Sequence, residues 1–344
     1  MARERIIDAQ SAGDAEDNYN LSLRPASFAE CIGQKEVLDR LSIAIRAAIQ
    51  RKEPLDHVLL HGPPGLGKTT LAHVIAHEMK ARIRMTSGPA LAKPSDLVGM
   101  LTNLQRCDVV FIDEVHRLPA IVEEFIYPAM EDFRVDFTVD SGMHARTINL
   151  PLKPFTLIGA TTRAGLLTAP LRARFGIVHH LDFWPNEDLL ERARRTADML
   201  GIKYQEKALG MLAARSRGTP RITNRLLRRV RDFAQIKADG QLTQQVVTQA
   251  LELEGIDRDG LDKLDHVFLT ALIHTHKGGP AGIEALAATL GEERDTLEDV
   301  IEPFLLQRGL VARTRRGRVA TPAAYKHLGL QPPAADSAEE SSLF

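Results

Sequence analysis

Only two cysteines, Cys31 and Cys107, occur in 344 residues. Two are too few for a disulfide framework, and their separation has none of the short spacings of a zinc site. Cys107 opens an apolar run and reads as a buried thiol; both thiols suit a reducing compartment. One tryptophan and an aromatic share of 5% leave the cores to aliphatic side chains. No apolar stretch nears the ~20 residues of a membrane span. The opening "MARERIIDAQ" holds no signal-peptide core. A cytoplasmic protein with no membrane partner is expected. Net charge is also missing: −1, from 44 Lys+Arg against 45 Asp+Glu. A surface that coats nucleic acid all over is thereby excluded, and any such contact must be local.

Against that neutral background "VARTRRGRVA" (311–320) packs Arg313, Arg315, Arg316 and Arg318 into six residues. The rest of the chain supplies a context. Its length predicts two or three domains. Residues 1–20 are polar and read as a flexible N-terminus. An amphipathic pattern predicts a helix over Lys35–Ile49. From Val58 to Phe183, apolar runs ("HVLLHG", "RIRMTSG", "CDVVFIDE", "FTLIGATT", "IVHHLDF") alternate with helical patterns. That alternation predicts an α/β fold over 21–183, a parallel sheet with helices on both faces. Within it, 133–150 reads as a β-hairpin turning at Ser141–Gly142. From 184 to 255 every periodic segment is helical, a small lid domain. A polar linker (253–265) leads into 256–330. There, three helices and two short strands around Arg316–Gly317 outline a winged helix. The tail, 331–344, is Pro-, Ala-, Ser- and Glu-rich and reads as disordered.

"GPPGLGKT" (62–69) satisfies G-x-x-x-x-G-K-[ST], with a strand before it and a helix after. Its glycines let backbone N–H groups wrap phosphates at a helix N-terminus. Lys68 can reach the β- and γ-phosphates, and Thr69 is placed to ligate Mg²⁺. "VVFIDE" (109–114) is an apolar strand ending in two carboxylates. Asp113 would hold Mg²⁺ through water, and Glu114 would act as general base on the attacking water. Thr162, or its neighbour Thr161, could orient that water. Arg172 and Arg174 end a short segment from which a guanidinium can serve a neighbouring subunit's γ-phosphate. Arg221, in the first turn of a lid helix, could report nucleotide state; Arg225, Arg228 and Arg229 read as helix-face arginines.

These segments in this order resemble the AAA+ ATPases, and more closely the RuvB family of Holliday-junction branch-migration motors, over about residues 20–330. The resemblance rests on the order of "SLRPASFAECIGQ", "HGPPGLGKTTLA", "VVFIDEVHRL", "FTLIGATTRAGLL", "LRARFGI", "RGTPRI" and "GEERDTLEDVIEPFLLQRGLVARTRRGRVAT"; the N-terminal "LRP" and the C-terminal "RTRRGR" are its most specific signals. The resemblance implies that Leu23 and Arg24 close over adenine. Gly65, Lys68, Thr69 and Thr70 hold phosphate and Mg²⁺, and Glu131, Asp132 and Phe133 form another nucleotide-adjacent segment. It makes Thr162 the first sensor, Arg174 a finger acting in trans and Arg221 the second sensor. It implies ATP and Mg²⁺ as cofactors, a homohexamer on duplex DNA, and RuvA docked on hairpin 133–150, with RuvC a further partner. Arg294, Arg313 and Arg318 match DNA-contacting positions; the arginine-rich wing would meet phosphates without reading sequence. Three departures stand out. Trp184 replaces the usual tyrosine beside the nucleotide, Ala173 replaces a common acidic neighbour of Arg174, and the hairpin wording differs. The terminal "EESSLF" shares a Leu-Phe with sliding-clamp-binding peptides, a match short enough to arise by chance. A slow AAA+ switch, such as a replication initiator or loader, is the other reading. A DNA-binding regulator with a vestigial nucleotide site ranks below both, because Lys68, Asp113 and Glu114 are all present.

Overall fold

The computed structural model describes residue 7 and residues 23–139 and 146–332. The hairpin turn expected at Ser141–Gly142, nearly all of the N-terminal segment 1–20 and the tail beyond 332 lie outside the described residues. The chain divides into two compact units between Gln244 and Gln245.

The first unit is built on strands β1 (Val58–His61), β2 (Ile83–Ser87), β3 (Val109–Asp113), β4 (Arg134–Val139), β5 (Arg146–Pro151), β6 (Thr156–Thr161) and β7 (Ile177–His180). Five of them form a parallel sheet in the order β2-β3-β6-β1-β7. Residues 109–112 of β3 and all of β6 are buried, as unbroken apolar strands must be when helices cover both faces. The helix Lys35–Arg51 buries Val37, Leu41, Ile45 and Ala48, one stripe at helical spacing. These residues pack with Leu71 and Ile75 on one sheet face. Leu97, Leu101, Val122 and Ile126 fill the other. Because β6 lies between β1 and β3, the C-terminal ends of these three strands stand side by side. In open α/β sheets that edge is where ligands bind. Gly62 leaves β1 there at φ 141°, and a Cβ on it would fall 2.4 Å from the Leu181 carbonyl oxygen. Only glycine allows that exit.

β4 and β5 form the expected hairpin, antiparallel from Arg134↔Pro151 to Val139↔Arg146. The lid helices are Asn186–Met199, Glu206–Ala214 and Pro220–Lys237. A two-residue parallel pair, β8 (Lys203–Tyr204) and β9 (Gln241–Leu242), ties their connections. Strands that short carry no periodicity and were invisible in the sequence.

In the second unit the helix Lys263–Thr270 continues through a π turn, Ala271–Thr275. It packs with the helix Ile283–Leu290 and the helical run 294–307, around Phe268, Leu272, Leu286, Ile301 and Leu305. The wing is β10 (Val311–Thr314) and β11 (Gly317–Ala320). Its turn is Arg315–Arg316, one residue earlier than the sequence suggested. Gly317 serves not the turn but a close approach: at φ 140°, a Cβ on it would lie 2.4 Å from the Ala281 oxygen. A further helix, Pro322–His327, closes the unit. Among the described residues no helix is long and apolar enough to cross a membrane.

Candidate functional site

The P-loop and the strand ends beside it line one cleft in the first unit. Gly65, Lys68, Thr69 and Thr70 come from the P-loop and its helix, and Asp113 and Glu114 from the end of β3. Thr162 follows β6, and Trp184 and Arg221 come from the lid side. Gly67 caps the helix Lys68–Glu78 at φ 103°, leaving the helix N-terminus open to an anion. The Lys68 ammonium is buried and donates to the carbonyls of Gly62 (2.8 Å) and Pro63 (2.9 Å). Burial lowers its pKa to about 8, against the pull of Asp113 and Glu114.

Glu114 sits in the left-handed region, φ 48°. Burial, and then the neighbouring Asp113, raise its carboxyl above the ordinary range. Its Oε2 lies 3.4 Å from the Thr162 hydroxyl and 3.1 Å from His116 Nδ1. The sequence left Thr161 and Thr162 open as water-orienting groups; the geometry separates them. Thr161 is fully buried, and its hydroxyl is engaged by His116 Nδ1 at 2.8 Å. Thr162 faces the cleft. His116 was missed, although it stands two residues beyond Glu114 in "DEVHRL", where a strand end turns back on itself.

Trp184 lies against Gly33, where a Cβ would meet the indole at 2.9 Å. Its backbone N–H donates to the Gly218 carbonyl, 2.8 Å. The indole Nε1 is buried and has no hydrogen-bond partner among the described residues. Arg24 lines the cleft. The Leu23 side chain is buried outside it, while the Leu23 carbonyl accepts from Arg192 at 3.1 Å. Cys31 was not singled out for the site; it lines the cleft, and burial pushes its thiol up to about 11. Cys107, expected buried, is half-buried in a positive-φ turn before β3.

Arg174, Glu131, Asp132 and Phe133 do not line this cleft. They meet elsewhere in the same unit. Arg174 pairs with Glu131 at 3.1 Å, donates to the Pro170 carbonyl at 2.8 Å and lies 4.2 Å over the Tyr127 ring. Glu131 thus supplies the acidic partner that Ala173 does not. Tyr127 and Thr168 both donate to the buried Glu123, fixing the ring beneath the guanidinium. Asp132 pairs with Arg134 at the hairpin base, and Phe133 packs on Phe155. Of the lid arginines read as helix-face residues, Arg225 is buried.

In the second unit the three arginines matched to DNA positions are all ion-paired. Arg294 meets Glu284 (2.9 Å) and Glu298 (3.2 Å). Arg313 and Arg318 both donate to Glu302, at 2.6 and 2.7 Å. The Glu302 side chain is fully buried. Burial would raise its carboxyl, but Arg318 and Arg313 hold it below the ordinary range. The exposed turn residues Arg315 and Arg316 form no ion pair among the described residues.

A P-loop sheet with a helical lid, followed by a winged helix, defines a nucleotide-driven ATPase of the AAA+ class with a nucleic-acid-binding module. The chain matches the Holliday junction DNA helicase RuvB P-loop domain over residues 23–181. It matches the RuvB AAA lid domain over 184–257 and the RuvB C-terminal winged helix domain over 258–329. It belongs to the RuvB family. Among solved structures it is similar to the Thermotoga maritima RuvB Holliday junction branch migration motor, at 50% identity, covering 90% of this chain and 99% of that one, TM-score 0.82. A proline-to-glycine mutant of the same protein matches at 50% identity, 90% and 100% coverage, TM-score 0.84.

Proposed function

We propose that this chain is an ATP-driven motor that moves duplex DNA at Holliday junctions, driving branch migration in homologous recombination and repair. One observation carries this: Lys68, Asp113, Glu114, Thr162 and Arg221 line a single cleft in a chain that also bears an arginine-rich winged helix. Lys68 exchanges its two carbonyl partners for the β- and γ-phosphates of ATP, with Gly65 and Thr70 completing the cradle. Thr69 and Asp113 fit Mg²⁺, because a hydroxyl and a carboxylate line the same cleft beside the buried ammonium. The ion would neutralise phosphate charge. Glu114 takes the proton of the attacking water; a carboxyl raised toward neutrality is the better acceptor. The Thr162 hydroxyl orients that water, and Arg221 reports the nucleotide to the lid. Leu23, Arg24 and Trp184 frame the base. Arg174, held on Glu131 and Tyr127, serves the nucleotide of a neighbouring copy together with Asp132 and Phe133.

In this reading Arg294, Arg313 and Arg318 direct hydrogen bonds at the DNA backbone. Hairpin 133–150 docks RuvA, RuvC joins the assembly, and a homohexamer encircles the duplex. The test is dissociation of a synthetic four-way junction with ATP, with and without RuvA, by wild-type, Lys68→Ala and Arg174→Ala proteins. Movement that needs ATP and RuvA and disappears in both variants is expected. ATP turnover without junction movement would overturn the motor reading in favour of a switch.

A further inference from the structure

Three chelating side chains that belong to neither set of residues described above converge in the second unit. Asp257 Oδ2, His266 Nε2 and His327 Nε2 all lie within 4.8 Å of one another. Both imidazole nitrogens are 2.9 Å from the same carboxylate oxygen. The three residues come from separate elements: the segment entering the winged helix, its first helix and its last. We propose that Asp257, His266 and His327 form a binding site for a divalent transition metal, with Zn²⁺ the best fit.

Four features support it. The Asp257 carboxylate is already oriented, because Oδ1 accepts the backbone N–H groups of Asp259 and Leu261 at 2.8 Å each. Its other oxygen faces the two rings. His327 is flanked on its second nitrogen as well: Nδ1 lies 3.3 Å from Asp259 Oδ2, and Asp259 is fixed by Arg308 at 2.7 Å. A carboxylate behind a ligating imidazole is the usual outer partner that sets its tautomer. Next, both imidazole nitrogens already stand at contact distance from the anionic Asp257 oxygen, so a cation held among them exchanges two hydrogen bonds for metal–ligand bonds. Finally, the size is right. Ligand bonds of ~2.0–2.1 Å in a tetrahedral site put donor atoms about 3.3 Å apart, so each imidazole need move only a few tenths of an ångström from the Asp257 oxygen, while the two imidazole nitrogens already lie within 4.8 Å of each other. His266 and Asp257 are partly exposed, which gives an entry path and leaves a coordination position for water. Two imidazoles and one carboxylate are donors that suit zinc and its neighbours over magnesium or calcium.

The experiment uses the full chain without nucleotide. Zn²⁺ alone is titrated calorimetrically, and Co²⁺ alone is followed by its visible absorption. The expected result is one saturable site per chain with tetrahedral Co²⁺ bands. His266→Asn and His327→Asn should each weaken it at least tenfold, and Asp259→Asn about tenfold through His327. Far-UV circular dichroism checks that the variants stay folded, and His180→Ala, beside the separate His61–His180 contact, is the control. No saturable binding by wild-type protein overturns the proposal, a result that needs no variant to fold. Binding lost in His180→Ala but kept in both asparagine variants overturns it too, by moving the site elsewhere.

Discussion

Lys68 is the residue whose chemistry is most tightly set by its surroundings. Its ammonium, poised near 8 by burial, would have to be charged to hold phosphate as proposed. Nucleotide would then stabilise the charged form, so above pH 8 binding would take up a proton. Affinity should hold below that value and fall by up to about tenfold per pH unit above it. The sole tryptophan, Trp184, lines the same cleft, and its fluorescence against ATP concentration from pH 7 to 10 measures this directly. A flat profile would mean that Lys68 keeps its proton throughout. Glu114 makes the complementary case. Glu114→Gln keeps shape and the Thr162 contact but cannot accept a proton. Turnover should drop by roughly 10²–10⁴ while the Trp184 signal still reports binding. Equal losses in binding and turnover would instead point to a structural role.

At the scale of elements, the wing separates its arginines by charge balance. Arg294, Arg313 and Arg318 are matched by Glu284, Glu298 and Glu302, so that cluster offers direction more than net charge. The turn, Arg315–Arg316, carries the unbalanced charge. Each of Arg315→Ala and Arg316→Ala should therefore flatten the log–log salt dependence of duplex binding by about 1. Glu302→Gln should steepen it by releasing a charge. Fluorescence anisotropy on a labelled duplex across a salt series reads both, and unchanged slopes for the two turn variants would refute the division. The same clasp has an acid limit. The Glu302 carboxyl is depressed when folded, so the stability it adds is present above its ordinary value of 4.5 and is lost as pH falls through the lower folded value. The sequence made the P-loop, the sheet and the winged helix legible because each rests on local pattern: a glycine spacing, unbroken apolar runs, a helical period. It gave no hint of the partners of Arg313 and Arg318. Glu302 lies 11 and 16 residues away and reaches them only through folding. His116 stayed hidden for a similar reason, since its value lies in meeting Thr161 from a different strand.

For the whole molecule, the division between cleft and finger matters most. Arg174 is bound to Glu131, Pro170 and the Tyr127 face of its own chain, outside its own nucleotide cleft. If it completes a neighbour's site, Lys68→Ala and Arg174→Ala proteins, each inactive alone, should regain turnover when mixed. In a one-to-one mixture roughly a quarter of the contacts join an intact P-loop to an intact finger. Steady-state ATPase across mixing ratios measures this, and a mixture as dead as its parents would place the finger in cis. The tether also has a genetic consequence. If the finger acts in trans, a copy that lacks its guanidinium would still bind nucleotide and take its place, and would silence a site belonging to someone else. Such an allele would act dominantly, its harm rising with dose even in a cell that retains a sound gene.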